Sequence, residues 1–420
     1  MLQTEPRLVK YSFYFLAFCL PISLGLQNTS FVLAMLATLF IAWRDRLLLL
    51  RYNLVVSLSV LLGLLSLVGI FYANADLAWS LRVLQKNSGI FAIFLLAPFF
   101  THSLFKRHYL EAYLWGCVLV FVIAVLGYLH LLPPYKNFQN PAPYFVFFKI
   151  YGALFMAFGG FMALTLYRYS SGKRKLFCVL VFLLCTINVY FMSFSKTGYV
   201  LYSLLLLLFI FSLSEIKKII FGLIVLLVLA LGIWHFAKNT QDGLLQVHRN
   251  IIAFQQGNKD ERHNSTAIRL QFVKDTYHMW RQAPIWGQGT GGTLKADIEV
   301  QGIRYDGTPL TLTNNQPFIE STYGSMLVEH GLVGLIVLLL LYGVQVWKSF
   351  SLGAFYRPLA LGFMLVMIIG GIANNMMFDG STLIFYVFFS SLFFINESEL
   401  PRHSRVGGKK SEGYPIFDHA

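Results

Sequence analysis

The chain reads as an all-α polytopic membrane protein, and three observations predict that class. Apolar residues make up 57% of its 420 residues and charged ones only 12%. That is about half the charge of an average soluble chain. The apolar residues fall in blocks of about 15–25, the length that crosses a bilayer core as a helix. Short connections on alternate sides of these blocks are rich in lysine and arginine, as the positive-inside rule requires.

Twelve spans follow, approximately 9–26, 29–43, 52–72, 88–101, 108–131, 144–168, 176–194, 198–213, 219–236, 319–346, 359–376 and 381–396. With the N-terminus in the cytoplasm, the inner connections carry Arg44, Arg46 and Arg51, then Lys106 and Arg107, then Arg168 and Lys173–Lys175. Lys217 and Lys218, Lys348 and Arg357, and the tail from Arg402 to Lys410 complete the series. The opposite connections at Gln27–Asn28, 132–143, 194–197 and 377–380 carry little charge. The organisation expected is nine spans over 1–236, a large periplasmic loop over 237–318, three spans over 319–396, and a disordered cytoplasmic tail over 397–420. Met1–Lys10 is polar, and the apolar run after it lacks a small-residue cleavage site, so no cleaved signal peptide is expected. The net charge of +14 reflects orientation in a chain of this class, and no nucleic-acid partner is implied. Cys19, Cys117, Cys178 and Cys185 all lie in apolar segments, so the large loop has no cysteine framework for a disulfide or a metal.

Two outer segments keep positive charge against the rule. One follows span three and holds Arg82 and Lys86, four apart and therefore on one face of a helix. The other is the large loop, where Asn264–Thr266 offers capping oxygens. Ile268, Phe272, Val273, Tyr277 and Trp280 then form a stripe at helical spacing. Pro284 ends this helix. Arg269 lies in its first turn, where a cation opposes the helix dipole. It is either a solvated surface residue or a group held for an anion. Gly287-Gln-Gly-Thr-Gly-Gly292 comes next. No strand precedes it, so it is no dinucleotide fingerprint. Gly287, Gly289 and Gly291 shape either a tight turn or a close backbone approach to a ligand.

The stretch Pro317–Gly334 carries the loop back into an apolar helix, with Glu320 at the junction and Glu329–His330 further in. A carboxylate at a membrane edge is a functional candidate, and a helix cap accounts for it equally. Lys196 stands in the short outer hairpin Ser193-Phe-Ser-Lys-Thr-Gly198. Several cations and one acid at the outer surface suit transfer of a glycan from a lipid pyrophosphate. Arginine and lysine bind the phosphates and the charge that develops on the leaving group. A carboxylate takes the proton of the incoming hydroxyl. No cluster of metal ligands is visible, and His235, His248, His263 and His278 have no paired acidic motif.

These motifs together resemble the bacterial O-antigen ligase and polymerase superfamily. The hairpin Ser193-Phe-Ser-Lys196 is similar to the family's Ser-x-Ser/Thr-Arg hairpin, with Lys196 where arginine is usual. Arg269, followed by Pro284-Ile-Trp-Gly-Gln-Gly-Thr-Gly291, resembles the family's loop helix and its glycine motif. Glu320-Ser321, nine residues, then Gly331-Leu-Val-Gly334 matches the family frame, with Glu320 where ligases have histidine. The resemblance implies a GT-C-like glycosyltransferase of the inner membrane, acting on the periplasmic side without metal, nucleotide or other cofactor. It implies a polyprenyl-pyrophosphate-linked glycan donor, with lipid A–core as acceptor in a ligase or a second lipid-linked repeat in a polymerase. Lys196, Arg269, Arg82 and Lys86 are the expected pyrophosphate ligands, and Glu320 with Arg269 the expected catalytic pair. Gly287, Gly289, Gly291, Gly331 and Gly334 are expected to shape the loop. The reading from another class is a transporter or flippase of lipid-linked glycan, for which Lys149 and Glu329–His330 are the candidate polar residues within the membrane.

Overall fold

The computed structural model describes residues 7–39, 43–102, 105–131, 149–193, 195–213, 215–255, 265–293, 295–296 and 321–396. Helices α1 (Arg7–Cys19), α2 (Leu24–Thr38), α3 (Trp43–Tyr52), α4 (Leu54–Val68), α5 (Leu77–Asn87) and α6 (Ala92–His102) come first. They are followed by α7 (Lys106–Tyr128), α8 (Lys149–Tyr167), α9 (Gly172–Ile187), α10 (Lys196–Phe211) and α11 (Ile216–Phe236). The large loop contributes α12 (Lys238–Gln255) and α13 (Ser265–Gln282). The last three are α14 (Thr322–Ser351), α15 (Tyr356–Ala373) and α16 (Gly380–Phe394). Each of the twelve expected spans has a helical counterpart among these. Eight helical segments among the described residues are long and apolar enough to cross a membrane, and α2, α10 and α16 are shorter apolar helices. The protein is a polytopic all-α membrane protein.

Where boundaries moved, the cause is local. The first break comes at Leu20–Ser23, ahead of the expected Gln27–Asn28. Pro21 lacks the N–H that would continue α1. Ser23 then caps α2, its Oγ accepting from Leu26 N at 3.2 Å. Gln27 is a buried helical residue, and its amide donates to the Leu20 carbonyl freed by the break. The basic connection at 44–51 is itself helix α3, and Arg46 is fully buried, donating to the Thr38 carbonyl. Burial lowers the affinity of that guanidinium for its proton. The segment with Arg82 and Lys86 is helix α5, which runs through a 3-10 turn at Ser88–Phe91 into α6. The large loop holds two helices where one was expected. Its continuation at 297–320, including Glu320, and the tail at 397–420 lie outside the described residues, as does the side chain of Lys149.

The centre of the bundle is aromatic. Phe158 meets Phe389 at 5.0 Å and Phe385 at 5.5 Å, both edge-on, and Tyr113 meets Phe389 at 5.4 Å. Such edge contacts use the ring quadrupole and need no water to be expelled. The helices sort their polar ends into two groups. At one end Lys106 Nζ donates to the Ile395 carbonyl at 2.8 Å, Arg107 to that of Tyr169 at 3.0 Å, and Arg168 to Ser212 Oγ at 3.1 Å. At the other end stand Arg82, Lys86, Lys196, α12, α13 and the glycine segment, placed there by the alternation of the helices.

Candidate active site

The site is built where the glycine segment meets α14. That helix starts cleanly: Ser321 Oγ accepts from Gly324 N at 3.4 Å, and Thr322 Oγ1 accepts from Met376 N at 2.7 Å. Thr322 N also donates to the Asn374 carbonyl at 3.2 Å, which ties the start of α14 to the α15–α16 connection. Nine residues in, the helix breaks at Gly331, where φ is 61°. A break inside a membrane helix frees backbone groups that hydrocarbon cannot satisfy.

The glycine segment satisfies them. Gln288 N and Gly289 N donate to the carbonyls of Val328 and Glu329 at 2.8 and 2.9 Å. In return, Leu332 N and Val333 N donate to the carbonyls of Pro284 and Ile285 at 3.0 and 3.2 Å. The contact is backbone against backbone, and it requires glycine on both sides. A Cβ on Gly287 (φ 72°) would stand 2.5 Å from the Glu329 carbonyl carbon, and one on Gly331 would stand 2.7 Å from Gly287 N. Where a tight turn or a close approach to a ligand was expected of the glycine segment, Gly287 makes its close approach to the protein's own α14. Gly289 also abuts the end of α4, and Gly291 abuts Trp79 and Ser80 of α5. Gly334 lies one turn beyond the break, against His330 and Met326.

Glu329 and His330 are buried beside this junction. Thr293 Oγ1 donates to Glu329 Oε1 at 3.3 Å, and the Gly291 N–H also bonds that carboxylate. Glu329 Oε2 stands 3.9 Å from His330 Nε2, which is 3.3 Å from Ser66 Oγ. Thr290 Oγ1 donates to the Ser66 carbonyl at 2.6 Å. These side chains thus clamp the glycine segment between α4 and α14. Glu329→Ala is expected to leave the Thr293 hydroxyl and the Gly291 N–H without their acceptor, a loss of about 1–3 kcal/mol. Glu329→Gln keeps an acceptor oxygen and is expected to melt close to the parent protein. Thermal unfolding of the two purified variants checks the contrast.

The predicted cations form two pairs in different surroundings. Lys196 opens α10, where Ser195 Oγ accepts from Gly198 N at 3.1 Å, and Ser193 Oγ accepts from Ser195 N at 3.1 Å. A π-helical turn at Asn188–Met192 precedes it, and the Tyr199 hydroxyl donates to the Ser193 carbonyl. Lys196 Nζ is buried and has no hydrogen-bond partner among the described residues. Arg269, from α13, stands close enough for the two positive charges to interact. Arg82 and Lys86 instead face a cleft between α2, α5 and α16. Glu320 directly precedes the capping residue Ser321 but lies outside the described residues. Sequence reasoning missed the parts played by Ser66, Thr293 and Gly69, whose carbonyl accepts from Thr290 N at 3.1 Å. A Ser and a Gly near the end of an apolar helix carry no signal until the glycine segment is seen against them.

The class that fold and site define is a multi-span helical membrane protein with two pairs of cations and a clamped, glycine-built loop at one end of its bundle. Residues 179–339 are similar to the family described as O-antigen ligase. The match takes in Lys196, Arg269, the glycine segment and the break in α14, and leaves out Arg82 and Lys86. No curated protein matches the chain.

Proposed function

We propose that the protein is a glycosyltransferase of the bacterial inner membrane. It moves a polysaccharide from a polyprenyl-pyrophosphate donor onto a lipid A–core sugar at the periplasmic side. The observation that supports this reading is a buried Lys196 ammonium with no hydrogen-bond partner among the described residues, within reach of the positive charge of Arg269, the two coming from separate motifs inside the matched residues. A polyanion is attracted by both positive charges at once. A pyrophosphate leaving group is such an anion. In the reaction the acceptor hydroxyl attacks the anomeric carbon of the donor. The carbon–oxygen bond to the pyrophosphate breaks, and the carrier leaves as its diphosphate. The hydroxyl proton passes to Glu320, and Lys196 and Arg269 hold the charge on the departing phosphate. Arg82 and Lys86 bind lipid phosphate at the same end of the bundle. No step calls for a metal or an organic cofactor.

The second reading, a polymerase joining lipid-linked repeats, uses the same chemistry on a different acceptor. Complementation of a deletion strain tests the site. Glu320→Gln and Arg269→Ala are each expected to abolish surface polysaccharide while the protein remains in the membrane; unchanged polysaccharide with both would refute the assignment. A gel of the deletion strain separates the two activities. Polymerised glycan retained on the carrier marks a ligase, and a single repeat attached to lipid A–core marks a polymerase.

A further inference from the structure

Helix α12 turns one face toward the bundle, and helical spacing traces that face along its length. Thr240 Oγ1 donates to the Tyr190 carbonyl, on the π-helical turn, at 2.7 Å. Three residues on, a Cβ at Gly243 would stand 3.7 Å from the Tyr199 ring and 3.9 Å from Lys196 Cγ. Val247 follows, half-buried, and then Asn250, which is 1% exposed. Steps of three and four keep these residues on one side of a helix. Asp242, Leu245, Gln246 and Arg249, between them in sequence, are exposed. Asn250 therefore lies on the face that meets Lys196, two turns or about 11 Å further along. Helix α13, which brings Arg269 toward Lys196, packs against α12.

Oδ1 and Nδ2 of Asn250 are both buried, and neither has a hydrogen-bond partner among the described residues. Lys196 Nζ is in the same condition. Burying such groups strips them of water without return, and native proteins seldom leave them so. The two side chains differ in what they can take. An ammonium only donates, which suits phosphate oxygens, whereas a carboxamide both donates and accepts. An ionised phosphate has only acceptors and would leave Oδ1 unpaired. Neighbouring hydroxyls on a sugar ring satisfy both atoms together, since each hydroxyl donates and accepts. An ordered water also pairs an amide, and the experiment below separates the two.

We propose that Asn250 reads the sugar joined to the pyrophosphate, Oδ1 accepting from one ring hydroxyl and Nδ2 donating to its neighbour, while Lys196 and Arg269 hold the phosphates. The inference rests on the transferase reading above and deepens it, adding a specificity-determining residue to the same site. The carrier diphosphate that leaves after transfer lacks this sugar, so the contact is made with the donor and not with the product.

The test is equilibrium binding of radiolabelled lipids to the full-length protein in nanodiscs. One probe is bare polyprenyl pyrophosphate; the others are the same lipid bearing one N-acetylglucosamine or one galactose. Asn250→Leu, close to asparagine in volume, is expected to weaken binding of at least one glycosylated lipid about tenfold or more, through loss of the hydrogen bonds. Binding of the bare lipid should not change. Asn250→Ala, which removes the amide and leaves room for water, should repeat this pattern, and it carries the test if the leucine variant fails to fold. Lys196→Ala should weaken the bare and glycosylated lipids alike. Equal loss for bare and glycosylated lipids with the Asn250 variants would mean that the amide only shapes the site, and would overturn the proposal. Unchanged binding of every lipid would overturn it too, and would mark an amide paired by water. A parent protein that binds none of the three lipids would instead refute the transferase reading itself.

Discussion

Gly331→Ala is expected to undo the junction between the glycine segment and α14. The added Cβ meets Ile285 and Gly287 backbone atoms that have no side-chain freedom with which to yield. The φ of 61° is itself strained for alanine. A non-glycine residue held in that region costs about 1–3 kcal/mol, and overpacking adds a similar amount. The four backbone hydrogen bonds across the junction would go with it. Purified Gly331→Ala should therefore melt well below the parent, and a protease should cut the segment around Gly287–Gly292 faster. Gly343, in the same helix, has open space around it and ordinary helical dihedrals. Gly343→Ala should leave both measurements unchanged. If the two variants behave alike, the junction does not hold the loop.

The largest effect on activity is expected at Lys196 and Arg269. Removing either cation by Lys196→Ala or Arg269→Ala should slow transfer by about 10²–10³-fold, the usual cost of deleting one group that stabilises transition-state charge. Lys196→Arg should retain most activity, since the charge stays and the guanidinium adds a bidentate fork. Transfer from a carrier-linked donor, followed by gel shift of the acceptor, measures all three. A Lys196→Arg protein as slow as Lys196→Ala would mean that lysine acts by some property other than charge.

Much of this molecule was legible in its sequence, and the reasons differ from place to place. Blocks of apolar residues long enough to span a bilayer identify helices regardless of neighbours, so the twelve segments found helical counterparts. The two glycine motifs were also visible, because a run such as Gly287–Gly292 has few uses outside tight backbone geometry. Their mutual contact was not visible. The partners are about forty residues apart and meet through backbone atoms, which leave no residue-type signature. Burial of Arg46 was hidden for a similar reason, since its partner is a carbonyl. The turn at Leu20–Ser23 was readable in principle from Pro21 and Ser23 and was outweighed by the polar pair Gln27–Asn28. The cations at the loop end were named one by one from charge sidedness, but their division into Lys196–Arg269 and Arg82–Lys86 depends on helix packing.

The junction at Gly331 also limits how this protein can be recombined. Carbonyls of α14 are satisfied by one segment, and N–H groups of α14 are satisfied by the same segment, so neither strand of the exchange is complete alone. A chimaera that receives the loop through Gly287–Gly292 but keeps an unbroken helix would have no acceptors for the loop's donors. One that receives the broken helix without the loop would expose unpaired backbone to lipid. Residues 284–289 and 328–333 are therefore one module in two pieces, transferable between homologous scaffolds only together.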